Sequence, residues 1–152
     1  MKKYLGIDYG DVRTGLAVND SLGLIASGIG NVTAGGPRKL AIAIAQICKE
    51  RGIEEIILGH PINMNGTLGP RSELVRSFAG MLEEETGLPV TLFDERCTTM
   101  VAHSFLSETG TRGKKRRQVV DTLSAQIILQ NYMDMIRAKD LTNPKESDII
   151  DT

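Results

Sequence analysis

Asp8 limits the folds open to this chain more than any other residue. It interrupts Tyr4-Leu5-Gly6-Ile7-Asp8-Tyr9-Gly10, a run that otherwise reads as a buried strand. A carboxylate in that setting is costly without a partner charge or a cation. Alternate strand residues share a face, so Leu5, Ile7 and Tyr9 point one way and Gly6, Asp8 and Gly10 the other. The two glycines clear space beside Asp8 for a close approach by a helix, a metal or a phosphate. A strand-end Asp that caps a turn is the competing explanation.

Composition sets the outer bounds. A chain of 152 residues suits one domain with a full core, and 41% hydrophobic content marks a globular protein. Aromatics make up 4% and Trp is absent, which argues against a platform that stacks nucleic-acid bases. A net charge of −1 leaves no overall basic footprint, so any polyanion site must come from local clustering. Cys48 and Cys97 form no CxxC pattern, and His60 and His103 are the only histidines, which disfavours structural zinc. The chain opens on no signal peptide and contains no apolar run near the roughly 20 residues of a membrane span. The expectation is a reduced, cytoplasmic protein with no membrane partner.

Three strand-like segments come first, Tyr4 to Tyr9, Thr14 to Asn19 and Leu24 to Val32, joined by short turn-rich connectors that suit antiparallel hairpins. Leu40, Ala41, Ile44, Ile47 and Cys48 fall at helical spacing within Arg38 to Arg51, which Gly52 closes. Glu54 to Gly59 holds the continuous apolar run of a central parallel strand. A helix is expected from Pro70 to Thr86 with Leu74, Val75, Phe78 and Leu82 inward, then a strand from Val90 to Phe93. Thr98 to Thr109 reads as a helix, Gly110 to Arg117 as a mobile basic loop, and Gln118 to Ala138 as a long helix. One domain covers 1–138, and 139–152 is a polar, flexible tail. This order implies an α/β fold: a mixed five-stranded sheet, three antiparallel strands then parallel crossovers, with helices on both faces. Ligands in such sheets gather at the carboxyl ends of the strands, where Asp8 and Asp94-Glu95 lie.

Asp121 is a third acid, set in the otherwise apolar helix Val119 to Leu129. Ser124 and Ala125, three and four residues on, share its face and are small enough to let that helix press against the glycines around Asp8. A first-turn Asp complementing the helix dipole is the alternative. Three converging carboxylates repel one another unless a cation neutralises them. Oxygen ligands without His or Cys select Mg²⁺ or Mn²⁺, and two such ions suit phosphodiester cleavage. Neighbouring strand residues face opposite ways, so either Asp94 or Glu95 can supply the second acid. Arg112, Lys114, Lys115, Arg116 and Arg117 lead into the Asp121 helix and can hold a phosphate backbone. Arg71 and Arg76 extend that track, and Arg13 in the first hairpin can contact a phosphate or pair with an acid.

Together these residues resemble the YqgF family, Holliday-junction resolvase homologues also described as pre-16S rRNA nucleases. The matching marks are Gly6-Ile7-Asp8-Tyr9-Gly10 with Arg13, Gly15, Leu16 and Ala17, then Gly59-His60-Pro61 with Gly66, Phe93 to Thr99, Lys114-Lys115-Arg116, Val120-Asp121 and Ile128-Leu129-Gln130. Cys97 and His60 depart from the usual Leu, and Leu123-Ser124 from the usual Ala pair. The resemblance implies an RNase H-like fold and a metal-dependent nuclease acting on nucleic acid, either pre-rRNA or branched DNA. It implies that Asp8, Glu95 and Asp121 bind Mg²⁺ or Mn²⁺, as two ions, and so favours Glu95 over Asp94. A junction resolvase would need a symmetric dimer; an RNA nuclease could be a monomer or a homodimer. A nucleic-acid-binding ribosome-assembly factor whose cutting is incidental is the remaining alternative. An ATP-phosphate loop built on Asp8 would need a second lobe, for which 152 residues leave no room.

Overall fold

The computed structural model describes residues 2–62, 65–94 and 113–142, with side chains over 122–139 in the last stretch. Among them run strands β1 (Tyr4–Asp8), β2 (Thr14–Asn19) and β3 (Ala26–Val32), helix α1 (Pro37–Arg51), strand β4 (Glu55–His60), helix α2 (Pro70–Thr86), strand β5 (Val90–Asp94) and helix α3 (Gly113–Thr142). The five strands form one sheet in the order β3-β2-β1-β4-β5. β1–β2 and β2–β3 pair antiparallel, β1–β4 and β4–β5 parallel, which is the mixed sheet the sequence implies.

The alternation read from β1 divides the core. Leu5 and Ile7 lie wholly buried in one cluster with Leu40, Ile44, Val75 and Phe78, so α1 and α2 cover that face. Tyr4, Ala17 and Ile57 join Ala125, Ile128, Leu129 and Tyr132 in the other, so α3 covers the opposite face. Burying each large aliphatic side chain contributes roughly 1.5–3 kcal/mol, which makes the face assignment of β1 expensive to reverse.

Some elements differ from the sequence expectation for identifiable reasons. β3 starts at Ala26, not Leu24, because Asp20 Oδ1 accepts the amides of Leu24 (2.8 Å) and Ile25 (3.1 Å) and holds both in the turn. Leu74 is 54% exposed; the inward stripe of α2 is Ser72, Val75, Phe78, Ala79 and Leu82. The basic stretch from Lys114 to Arg117 is not a loop. It forms the start of α3, five residues earlier than expected, since Lys, Arg and Gln are good helix formers. α3 also runs on to Thr142, into the segment read as a tail. The expected helix from Thr98 to Thr109 lies outside the described residues. No helix among the described residues is long and apolar enough to cross a membrane.

Candidate functional site

Gly6 decides how α3 meets the sheet. A Cβ there would stand 2.8 Å from Leu129 Cβ and 3.1 Å from the Ala125 carbonyl oxygen. The helix backbone therefore occupies the space that the missing side chain leaves. Four further contacts fix its register. Gln130 Oε1 accepts the Ala26 amide and its Nε2 donates to the Leu24 carbonyl, both at 2.9 Å. Tyr132 packs edge-on against Tyr4 at 5.6 Å between ring centres, and its hydroxyl donates to Glu55 Oε2 at 3.2 Å. Tyr4 thus meets Tyr132, and Gly6 meets Leu129 and Ala125. Two residues along a strand and four along a helix both advance about 6–7 Å. The same step carries the turn of α3 at positions 121–125 toward the level of Asp8 in β1.

Asp8 itself is half-buried at the carboxyl end of β1, on the α3 face with Gly6. Across the sheet its partner in β2 is Gly15. On the other side Ile7 pairs with Leu58, so Gly59 follows at the level of Asp8. Asp8 is consequently bordered by glycines in the neighbouring strands as well as in its own. Gly10 has a different reason to be glycine: a Cβ there would run into the Arg13 carbonyl oxygen, so the turn itself fills that side.

Strand parity places Asp94, one of the two acids that the sequence alone leaves open. His60 pairs with Asp94 and Gly59 with Phe93. Phe93 packs against Tyr132 of α3, ring centres 5.9 Å apart, so it lies on the Asp8 face. Asp94 falls on the opposite face with His60, whose Nε2 lies 2.5 Å from Ser72 Oγ of α2. Burial pushes the His60 imidazole below its ordinary pKa, Arg76 adds to the effect, and Asp94 opposes it. Glu95, next after Asp94, lies outside the described residues, as does Arg112. Asp121 and Lys114 to Arg117 are placed along α3 by its backbone. Among the described residues no group of three His, Cys, Asp or Glu side chains could hold a metal.

The basic residues divide. Lys114 to Arg117 fall at the start of α3, the positive end of its dipole, with no acid in that turn. Cations there are unfavourable for the helix dipole. Arg76 is exposed on α2 beside His60. Arg13 sits in the turn that follows Gly10. Arg71 is engaged by the protein itself: it donates to Asp11 Oδ1 at 2.5 Å and to the Tyr9 carbonyl. Sequence reasoning missed this pairing and the Ser72–His60 contact, since neither pair is close along the chain.

A family model described as "RuvX: Holliday junction resolvase" matches residues 2–135. A protein of Desulfitobacterium hafniense, by name a candidate pre-16S rRNA nuclease, is 42% identical over 141 residues, covering 93% of this chain and 98% of that protein. One of the same name from Geobacillus kaustophilus is 45% identical over 136 residues, 88% of this chain and 98% of its own. Among solved structures, Thermus thermophilus RuvC in complex with a Holliday junction substrate superposes with a TM-score of 0.55 at 14% identity, covering 91% of this chain and 97% of that one. The fowlpox virus Holliday junction resolvase gives 0.51 at 10% identity, with 88% and 99% covered. At such identities these two establish the fold, which is the RNase H-like one.

Proposed function

This chain belongs to the RuvX family, and on that footing we propose that it is a nuclease hydrolysing phosphodiester bonds in structured RNA, with the 5′ end of pre-16S rRNA as its target. The observation that carries the reading is the seating of α3 on Gly6, two residues before Asp8 on the same face of β1, through Leu129 and Ala125. A carboxylate on a strand face bordered by glycines fits a hard cation, which oxygen donors select. Asp8, Glu95 and Asp121 would hold two Mg²⁺ or Mn²⁺ ions; Asp94, the competing acid, lies on the other face of the sheet. Such ions, when bound, lower the pKa of the attacking water and stabilise the leaving oxygen. The chain's own part is to keep the carboxylates on one rigid sheet-and-helix seam and to hold the phosphate backbone with Lys114, Lys115, Arg116 and Arg117. The products would carry a 5′-phosphate and a 3′-hydroxyl. The place of action would be the cytoplasm.

The description of the matching family favours a second reading, resolution of four-way DNA junctions. It requires two sites facing two strands, hence a symmetric dimer. One assay separates the readings: wild type and Asp8→Asn are offered precursor rRNA, single strands and four-way junctions in Mg²⁺ or Mn²⁺. We expect cleavage of the rRNA precursor by the wild type, and none by Asp8→Asn, which still binds RNA. Retained cleavage by a clean Asp8→Asn preparation sinks the metal-site assignment. Paired cuts across junctions by a dimer, with rRNA untouched, establish the resolvase.

A further inference from the structure

The guanidinium of Arg71 serves three protein groups at once. Nη1 donates to Asp11 Oδ1 and Nη2 to the Tyr9 carbonyl. Its Cζ also stands over the Tyr9 ring, 5.3 Å from the centre. Tyr9 is gripped a second time by α2, where Phe78 stacks on its ring at 4.2 Å and 7°. Arg71 and Phe78 therefore tie α2 to the residue that directly follows Asp8. Sheet pairing of β1 ends at Asp8, and past that point Arg71 takes over the Tyr9 carbonyl.

We propose that Arg71 is a positioning residue for Asp8, not a phosphate contact: it fixes the peptide after Asp8 and so presents the carboxylate to a divalent cation in one orientation. The proposal rests on the metal reading of Asp8. One N–H of each Nη is already engaged by Asp11 and Tyr9, which leaves the guanidinium fewer donors with which to fork a phosphate. Asp11 is not the main anchor, because its side chain is 84% exposed and such an ion pair is worth only about 0–1 kcal/mol. The anchor is the carbonyl together with the ring. Lysine can replace the charge but not a planar fork that serves both groups. Partners that orient a metal ligand from behind typically change metal affinity by about 10–100-fold when removed.

The test is calorimetric titration of the full chain with Mn²⁺ in the absence of RNA, for wild type, Asp8→Asn, Arg71→Lys, Arg71→Gln and Asp11→Asn. The salt dependence of binding to a structured RNA fragment is measured alongside, and each variant is checked for a cooperative melt. Arg71→Lys and Arg71→Gln should bind Mn²⁺ about tenfold more weakly or worse. Asp11→Asn should change it less than about fivefold. The slope of log affinity against log salt should stay that of the wild type in Arg71→Gln. Wild-type Mn²⁺ affinity in either Arg71 variant overturns the proposal. If the Arg71→Gln slope then falls by about one, Arg71 is a phosphate contact. Undiminished Mn²⁺ binding by Asp8→Asn is a separate result: it overturns the metal reading, and the role given to Arg71 falls with it.

Discussion

Replacing Gly6 by Ala tests the seam between β1 and α3 most directly. The added methyl would lie 2.8 Å from Leu129 Cβ and 3.1 Å from the Ala125 carbonyl oxygen, whereas comfortable carbon contacts are about 3.5–4.0 Å. Neither neighbour is the free end of a side chain. One is backbone, the other a Cβ rigidly attached to it, so no rotamer change relieves the clash. The helix must retreat by about 0.7–1.2 Å, and overpacking of this kind costs roughly 1–3 kcal/mol. At about 2–4 °C per kcal/mol for a chain of this size, Tm should fall by roughly 2–12 °C. α3 carries Asp121, and a shift of 1 Å at a reacting centre can cost about a hundredfold in rate. The assay pairs a thermal melt with cleavage of precursor rRNA well below the variant's Tm, where the protein is fully folded. The expected result is a lower Tm, RNA binding retained, and cleavage down by about two orders of magnitude. An unchanged Tm would refute the seating of α3 on Gly6. A lowered Tm with wild-type cleavage would refute the dependence of the site on where α3 sits.

Two other predictions follow from charge and ionisation. Neutralising Lys114, Lys115, Arg116 and Arg117 should weaken RNA binding and flatten its salt dependence, each lost phosphate contact lowering the slope by about 0.7–0.9; a wild-type slope would make them an idle charged turn. Burial, reinforced by the Glu55 carboxylate, pushes the Tyr132 phenol up from 10.0 to about 12. The unfolded chain ionises first, so this stabilisation is complete below pH 10 and lost as pH rises through about 12. Urea midpoints measured across that window should fall less steeply in Tyr132→Phe than in the wild type, and parallel curves would refute the assignment.

The faces of β1 are legible in the sequence because strand alternation is local: Leu5 and Ile7 enter one core, and Gly6 and Asp8 take the other. The helix ends at Gly52 and Gly87 are legible for the same reason, and so is the close approach of Ala125, whose carbonyl oxygen lies against Gly6; the nearer contact, Leu129 Cβ, is not. The inward face of α2 was legible only in part, since Leu74 lies roughly 100° of helix rotation from Val75 and hydropathy does not distinguish them. The basic stretch reads as a loop because Gly110 and Gly113 flank it, whereas the Lys, Arg and Gln that follow Gly113 are good helix formers and start α3.

What the sequence determined by itself is the alternation that puts a carboxylate on a glycine-cleared strand face, and the order of elements that makes the sheet mixed. Both depend on residues within a few positions of one another. The tertiary structure alone decided that Gly15 and Gly59 border Asp8, that Asp94 belongs to the α2 face, and that Arg71 holds Tyr9. Strand register is set through backbone hydrogen bonds that every residue type makes alike, and Arg71 finds its acceptors 60 and 62 residues away. Pairing across such separations leaves no periodic mark on a single chain. It comes into being only when the two core faces close and bring the elements together.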